Sequence, residues 1–250
     1  IGAACAHAFA SLDARLLLAA RRLERLEKLA AELYAQHGVE VRTLLLDVRD
    51  QPAVEAAINS LPAAWAAIDI LVNNAGLSRG LDKLHEGKLA DWEEMIDTNV
   101  KGLLYVSRAV IPGMVARRRG HVINIGSIAG HQVYPSGNVY SATKHAVAAL
   151  TQGMRMDLLG TDVRVSTVDP GMVETEFSQV RFHGDEVRAA KVYQGLTPLT
   201  PDDVADAVVY CATRPAHVNI NEIIIMPTAQ ATATMAVRAD RRWGACSLMA

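Results

Sequence analysis

His121-Val122-Ile123-Asn124-Ile125-Gly126-Ser127, followed after a Gly-containing loop by Tyr140-Ser141-Ala142-Thr143-Lys144, decides how the chain is read. The first segment is an apolar run of strand length that ends on a glycine and a hydroxyl. The second lies in a long helical pattern at 139–159. A strand feeding such a helix is one step of a parallel sheet, because parallel neighbours need a crossover of a dozen or more residues. Tyr140 and Lys144 stand four residues apart, so a helix places them on one face. A strand end facing that helix gathers Ser127, Tyr140 and Lys144 around one small substrate. An ammonium beside a phenol favours phenolate, and so Lys144 is expected to lower the Tyr140 pKa from about 10. Tyr140 then serves as general acid/base, with Ser127 hydrogen-bonding the reacting oxygen.

The pair alone proves little. With six Tyr and six Lys in 250 residues, chance gives about one Tyr-x-x-x-Lys in seven such chains. An amphipathic helix with a half-buried Tyr and an extended Lys explains it equally well. The rest of the chain decides. Strand patterns at 15–20, 39–46, 68–72, 121–125, 163–168 and 222–226 alternate with helical patterns at 23–34, 51–61, 91–115, 139–159 and 201–213. This is the pattern of an α/β fold with a doubly wound parallel sheet and helices on both faces. Four strands run into Asp47, Asn73, Ser127 and Asp169. Carboxyl ends of parallel strands line the ligand crevice, which collects the candidate chemistry on one edge.

Composition narrows the class. Half the residues are hydrophobic, 21% are charged, and the net charge is −2. A nucleic-acid partner held by bulk charge is therefore not expected. The longest basic run, Arg117-Arg118-Arg119 before Gly120, reads as a helix C-terminus closed by glycine. Cys5, Cys211 and Cys246 form no CxxC, and His and Cys show no zinc-ligand spacing, so no metal is expected. Without a signal peptide or a run of 18 apolar residues, a soluble cytoplasmic protein is the expectation.

Asn73-Asn74-Ala75-Gly76 follows the third strand. Its small residues allow close approach of a flat ring or ribose, and its Asn side chains can brace neighbouring strands. Asn99 interrupts a long helical pattern in which Asn is a poor helix former. Pro170-Gly171 ends the fifth strand, before Met172-Val173-Glu174-Thr175. In these segments, with Gly126-Ser127 and Tyr140-Ser141-Ala142-Thr143-Lys144, the chain resembles the short-chain dehydrogenase/reductase family over residues 1–230. The resemblance implies a Rossmann-like fold, a nicotinamide cofactor and a relay of Asn99, Ser127, Tyr140 and Lys144. It further implies that Lys144 holds the nicotinamide ribose beside Tyr140, and that Asn99 positions a relay water. Thr175, beside Val173, Pro170 and Gly171, meets the carboxamide. Asp47 and Val48 meet the adenine, with Asn74, Ala75 and Gly76 along the crevice. Family members commonly form homodimers or homotetramers through long helices such as 91–115 and 139–159.

Cofactor choice follows from charge. After Leu16-Leu17-Leu18 the chain reads Ala19-Ala20-Arg21-Arg22, with no acid to accept from a ribose 2′-hydroxyl. Guanidinium suits a 2′-phosphate, so NADP is expected over NAD, on Arg21 first and Arg22 second. The segment 170–185 resembles the lid of a branch of NADP-dependent 3-hydroxy acid dehydrogenases acting on L-allo-threonine, serine and related acids. There Arg181 is a candidate for the substrate carboxylate, against the alternative of a solvated lid arginine, and Asn138 is a candidate pocket residue. His131 is set aside as structural, and His145 points to another helix face. The expected reaction is hydride transfer between NADP(H) and a short 3-hydroxy acid. Alternatives are another small carbonyl or alcohol substrate, a non-catalytic NADP-binding protein, and the epimerase branch, for whose larger substrate domain the chain has no room.

Two departures stand out. The family's phosphate-cradling turn is represented only by Ile1-Gly2, and the strand before it is absent, as in a fragment lacking about a dozen residues. Asp13 stands where a turn glycine is common, which predicts a strained turn. The stretch 231–250 shows no clear period and reads as an irregular tail.

Overall fold

A computed structural model describes residues 1–239 of the chain. Helix α1 (Gly2–Ala10) leads into β1 (Leu16–Ala20), α2 (Leu23–His37), β2 (Val41–Leu45), α3 (Gln51–Asn59), the short α4 (Ala63–Ala66) and β3 (Ile70–Asn73). There follow α5 (Leu89–Ile96), a π turn (Asp97–Gly102), α6 (Leu103–Ala116), β4 (Gly120–Ile125), α7 (Asn138–Asp157) and β5 (Val163–Pro170). Helices α8 (Phe177–Arg181) and α9 (Glu186–Tyr193), then α10 (Pro201–Ala212) and β6 (Glu222–Ile225), complete the described α-helices and strands. No helix among the described residues is long and apolar enough to cross a membrane.

All strand pairs are parallel, as the βα alternation requires, but they fall into two sheets. Strands β3-β4-β5-β6 form one, and β1-β2 the other, with Leu16 opposite Val41. Helix α1 joins them. Its Ala4, Cys5 and Phe9 pack with Ile123, Val168, Val204 and Val208, while Ala6 and Ala10 pack with Leu33 and Val39. Alanine on several faces permits both approaches. Burying Val122, Ile123, Val165 and Val168, none of them measurably exposed, contributes about 2 kcal/mol each. A second layer, Val110, Met114 and Leu158, covers the other face of β4 and β5. Asn73 Nδ2 bonds Asn124 Oδ1 at 2.9 Å, so this side chain braces adjacent strands as its type suggested.

Local chemistry sets several boundaries. The Thr200 side chain and Asp203 form a reciprocal cap on α10. Asp50 caps α3 through the Ala53 N–H. Asp13 has φ 59°, so the turn before β1 holds a left-handed aspartate, as its place in the sequence predicted.

Two expectations are corrected. The pattern at 91–115 is helical throughout but not a regular α-helix: it widens into the π turn at 97–102, where Gly102 lies against Val48 with no room for a Cβ. The glycine closure expected at Gly120 falls instead on Arg118, at φ 52°, whereas Gly120 is the first residue of β4 and lies on Met114. Arg118 and Arg119 pair with Asp162 and Asp69. Residues 231–239, read as irregular, form no helix or strand. They do fold back, with Ala239 N–H donating to Gly195 O and Arg238 to Gln194 O and Val192 O. Residues 240–250 of that stretch lie outside the described part.

Candidate active site

The four relay candidates converge at the carboxyl end of the larger sheet, each more than nine-tenths buried. Ser127 follows β4, and its Oγ accepts the Ala129 N–H at 3.1 Å. Tyr140 and Lys144 share one face of α7, and Lys144 Nζ lies 5.9 Å from the Tyr140 ring centre. Lys144 Nζ donates to Ile125 O at 2.9 Å. Asn99 is not the exposed residue that a mid-helix asparagine suggests. Its Oδ1 accepts the Leu77 N–H at 2.8 Å, while Nδ2 donates to Leu77 O at 2.8 Å and to Thr143 Oγ1 at 3.0 Å. The π turn carries this side chain inward, where it clamps the loop after β3 to α7. π turns recur at functional sites for this reason.

The electrostatics differ from the expectation. The Tyr140 pKa is raised, because burial outweighs the pull of Arg181 and of the hydrogen bond with Ser127. The cation that draws the phenol down against its burial is the lid arginine. Lys144 is itself pushed down to about 8 by burial, with Asp169 resisting the shift. At neutral pH the pair is phenol and ammonium.

Arg181 is brought fully into the site. Its guanidinium lies 4.9 Å from the Phe177 ring centre and 5.5 Å from that of Tyr140, and it donates to Ser78 Oγ and Tyr134 Oη. Tyr134, Phe177 and Ser78 escaped the sequence reading. An aromatic between Ser127 and Tyr140 was the available signal. Burial and Arg181 have opposing effects on the Tyr134 phenol, and the balance raises it to about 12. Asn138 opens α7, donates to Asp82 O at 3.3 Å, and lines a shallow polar recess with Ser78, Trp92, Met95 and Tyr140.

The lid base is tied down by Tyr193, whose hydroxyl donates to Val173 O at 2.8 Å. Thr175 Oγ1 accepts the Phe177 N–H, and Gly171, after Pro170, lies on Gln230 and Met226 with no room for a Cβ. Ala75 and Gly76 are exposed, and a Cβ on Gly76 would stand 3.6 Å from Lys144 Nζ and 3.4 Å from Asn99 Oδ1. A side chain there would stand in contact with both groups, and glycine adds none.

The opposite rim is cationic. Arg22 and Arg25 hold the Glu176 carboxylate at 3.1 and 2.7 Å, and Arg21 stands 3.9 Å from Glu94. Arg25 and Glu176 were not foreseen, because their pairing spans about 150 residues of sequence. The Glu176 carboxylate seated between two guanidiniums shows that Arg22 and Arg25 converge on one point of this rim. Asp47 is engaged by Arg49, at 2.6 Å, which holds its pKa below the ordinary value; Val48 lies on Gly102. Gly2 opens the nine-residue helix α1, its Cα close to the Asn74 side-chain amide. Exposed small residues beside Lys144, a helix N-terminus and an arginine rim fit a dinucleotide bearing an extra phosphate.

The short chain dehydrogenase family model matches residues 1–186. The NADP-dependent 3-hydroxy acid dehydrogenase YdfG of Salmonella typhi is 51% identical over 237 residues, covering 94% of each chain. Sulfoacetaldehyde reductase 2 of Chromohalobacter salexigens is 46% identical, covering 96% of this chain and 94% of the relative. The closed form of serine dehydrogenase complexed with NADP+ superposes with a TM-score of 0.88 at 48% identity, covering 95% of this chain and 94% of that one. The chain belongs to the short chain dehydrogenase family.

Proposed function

We propose that this chain is an NADP-dependent dehydrogenase of short 3-hydroxy acids. The observation that carries the substrate class is Arg181, whose guanidinium stands over the Tyr140 ring and is held there by Tyr134. A short acid with its hydroxyl at Tyr140 then has its anionic end within reach of a fixed fork of donors. The names and cofactors of the similar proteins support both halves of the reading.

When bound, NADP(H) supplies or accepts the hydride. Arg21, Arg22 and Arg25 would hold the 2′-phosphate, Gly2 and the start of α1 the pyrophosphate, and Asp47 and Val48 the adenine. Asn74, Ala75, Gly76, Pro170, Gly171, Val173 and Thr175 would line the crevice, and Lys144 would hold the nicotinamide ribose. Ser127 hydrogen-bonds the substrate oxygen. Tyr140 donates its phenolic proton to that oxygen in reduction and takes it back in oxidation. Asn99, its side chain committed to Leu77 and Thr143, keeps the loop and α7 in register, and the relay water assigned to it would have to meet another of its atoms. Asn138 borders the substrate. Because the raised Tyr140 stays protonated at neutral pH, reduction runs there, while oxidation climbs as pH rises. The enzyme is read as a cytoplasmic homodimer or homotetramer, a reading supported by exposed Leu89, Ile96 and Leu104 on the α5–α6 face.

The test is NADP-linked oxidation of L-allo-threonine, serine, 3-hydroxypropionate, 2-hydroxyethanesulfonate and uncharged alcohols of equal length. Arg181→Met raises KM for the acids about 100-fold and leaves the uncharged alcohols within about threefold. Equal loss on both classes rejects the assignment. Preference for the sulfonate over every carboxylate moves the substrate to sulfonates, which a guanidinium also fits.

A further inference from the structure

The relay leaves one buried charge unused. Asp169, at the end of β5, is only 2% exposed, yet it contacts neither substrate nor cofactor in the reading above. Its carboxylate is held on both oxygens: Thr167 Oγ1 donates to Oδ1 at 2.6 Å, and His131 Nε2 lies 2.7 Å from Oδ2. His131 is in turn 3.5 Å from Glu222 on β6. The carboxylate presses on the backbone of Gly126, where a Cβ would fall within 1.7 Å of Oδ1. Gly126 is joined by its peptide bond to Ile125, whose carbonyl receives Lys144 Nζ. Ammonium and carboxylate thus flank the same Ile125–Gly126 peptide at the end of β4.

We propose that Asp169, aligned by Thr167 and His131, is the positioning residue that keeps Lys144 charged and aimed at the crevice. Burial opposes the ammonium form, and a fixed carboxylate in the same low-dielectric environment offsets that opposition. The Asp169 carboxylate accordingly holds the Lys144 pKa up against the burial that lowers it. Other charged or titratable groups near Lys144 do not substitute for it. Tyr140 and His145 lie on its own helix, and His145 Nδ1 is bound to Ser141 O. Arg181 from the lid is a like charge. From the π turn, Asp97 is paired with Lys101 and faces solvent. From β6, Glu222 acts through His131.

The proposal rests on Lys144 being the cofactor-ribose ligand, so two readouts separate the claims. The first is the 15Nζ signal of Lys144, identified by its loss in Lys144→Arg and titrated without cofactor. In Asp169→Asn its midpoint falls by about one pH unit; in Glu222→Gln, whose side chain is 43% exposed, it falls by less. The second is NADPH affinity against pH, whose alkaline decline moves down by the same amounts. If Asp169→Asn does not fold, Glu222→Gln decides. An unmoved midpoint in the folded variants overturns the positioning role. A shifted midpoint with no matching change in the NADPH profile supports the role and overturns the ribose assignment instead.

Discussion

The two sheets of this protein are built from similar aliphatic residues and end up in different conditions. In β4 and β5, all but two of the fourteen residues are buried, and Ser127, Lys144 and Asn99 are fixed by hydrogen bonds. In β1 and β2 none is fully buried, and the arginines beyond β1 make ion pairs at half-exposed positions. The lesson is one of division. Proton-transfer groups need a dry environment that shifts their pKa values and holds their geometry. The proposed phosphate rim needs charge and reach, which a more open edge supplies. A surface pair there is worth under about 1 kcal/mol and can exchange one anion for another.

The largest expected effect removes chemistry from the rigid half alone. Tyr140→Phe lowers turnover by about 1,000-fold and leaves NADPH affinity within about twofold. Equal loss of both, measured by steady-state kinetics and NADPH fluorescence, shows that the halves are not separable.

Acid tests the same half by stability. His121 of β4 is buried against Ser166 of β5 at 2.7 Å, and burial followed by Arg164 depresses its pKa from 6.5 to about 3. The folded state keeps it neutral, whereas the unfolded chain takes up a proton below 6.5. Stability is therefore lost as pH falls from 6.5 towards 3, by about 1.4 kcal/mol per unit. Urea unfolding at pH 7, 5 and 4 reads this slope, and His121→Gln flattens it.

Much of this division was legible. The βα alternation, the Tyr140–Lys144 face and Ser127 at a strand end follow from spacing, because helix and strand periods are local properties. The π turn was not, since what draws Asn99 inward is the backbone of Leu77, 22 residues earlier. Nor was the Tyr140 shift: a sequence shows that a lysine is near but not how much water is lost. The Arg22–Glu176 pair was hidden for the same reason, being made between α2 and the lid. Gly120 misled because a glycine after basic residues suggests helix closure, whereas here it yields space to Met114.

Glycines sharpen the comparison further. Gly126→Ala sets a Cβ against the Asp169 carboxylate, which cannot retreat from Thr167 and His131, and costs about 3 kcal/mol or more. Gly2→Ala meets only the end of the Asn74 side chain and costs under about 1 kcal/mol. Thermal melts of the two variants measure the contrast. Smaller still is Arg22→Gln, which breaks one exposed ion pair and shifts the melting point little. It reduces preference for NADPH over NADH about tenfold, read as a ratio of dissociation constants.

The division is tested most directly by native-state hydrogen exchange, followed strand by strand with and without NADPH. Amides of β4 and β5 are expected to exchange slowest, through near-global unfolding, while those of β1 and β2 exchange faster and slow down when NADPH binds. Equal protection of both sheets before NADPH is added, unchanged afterwards, would contradict it.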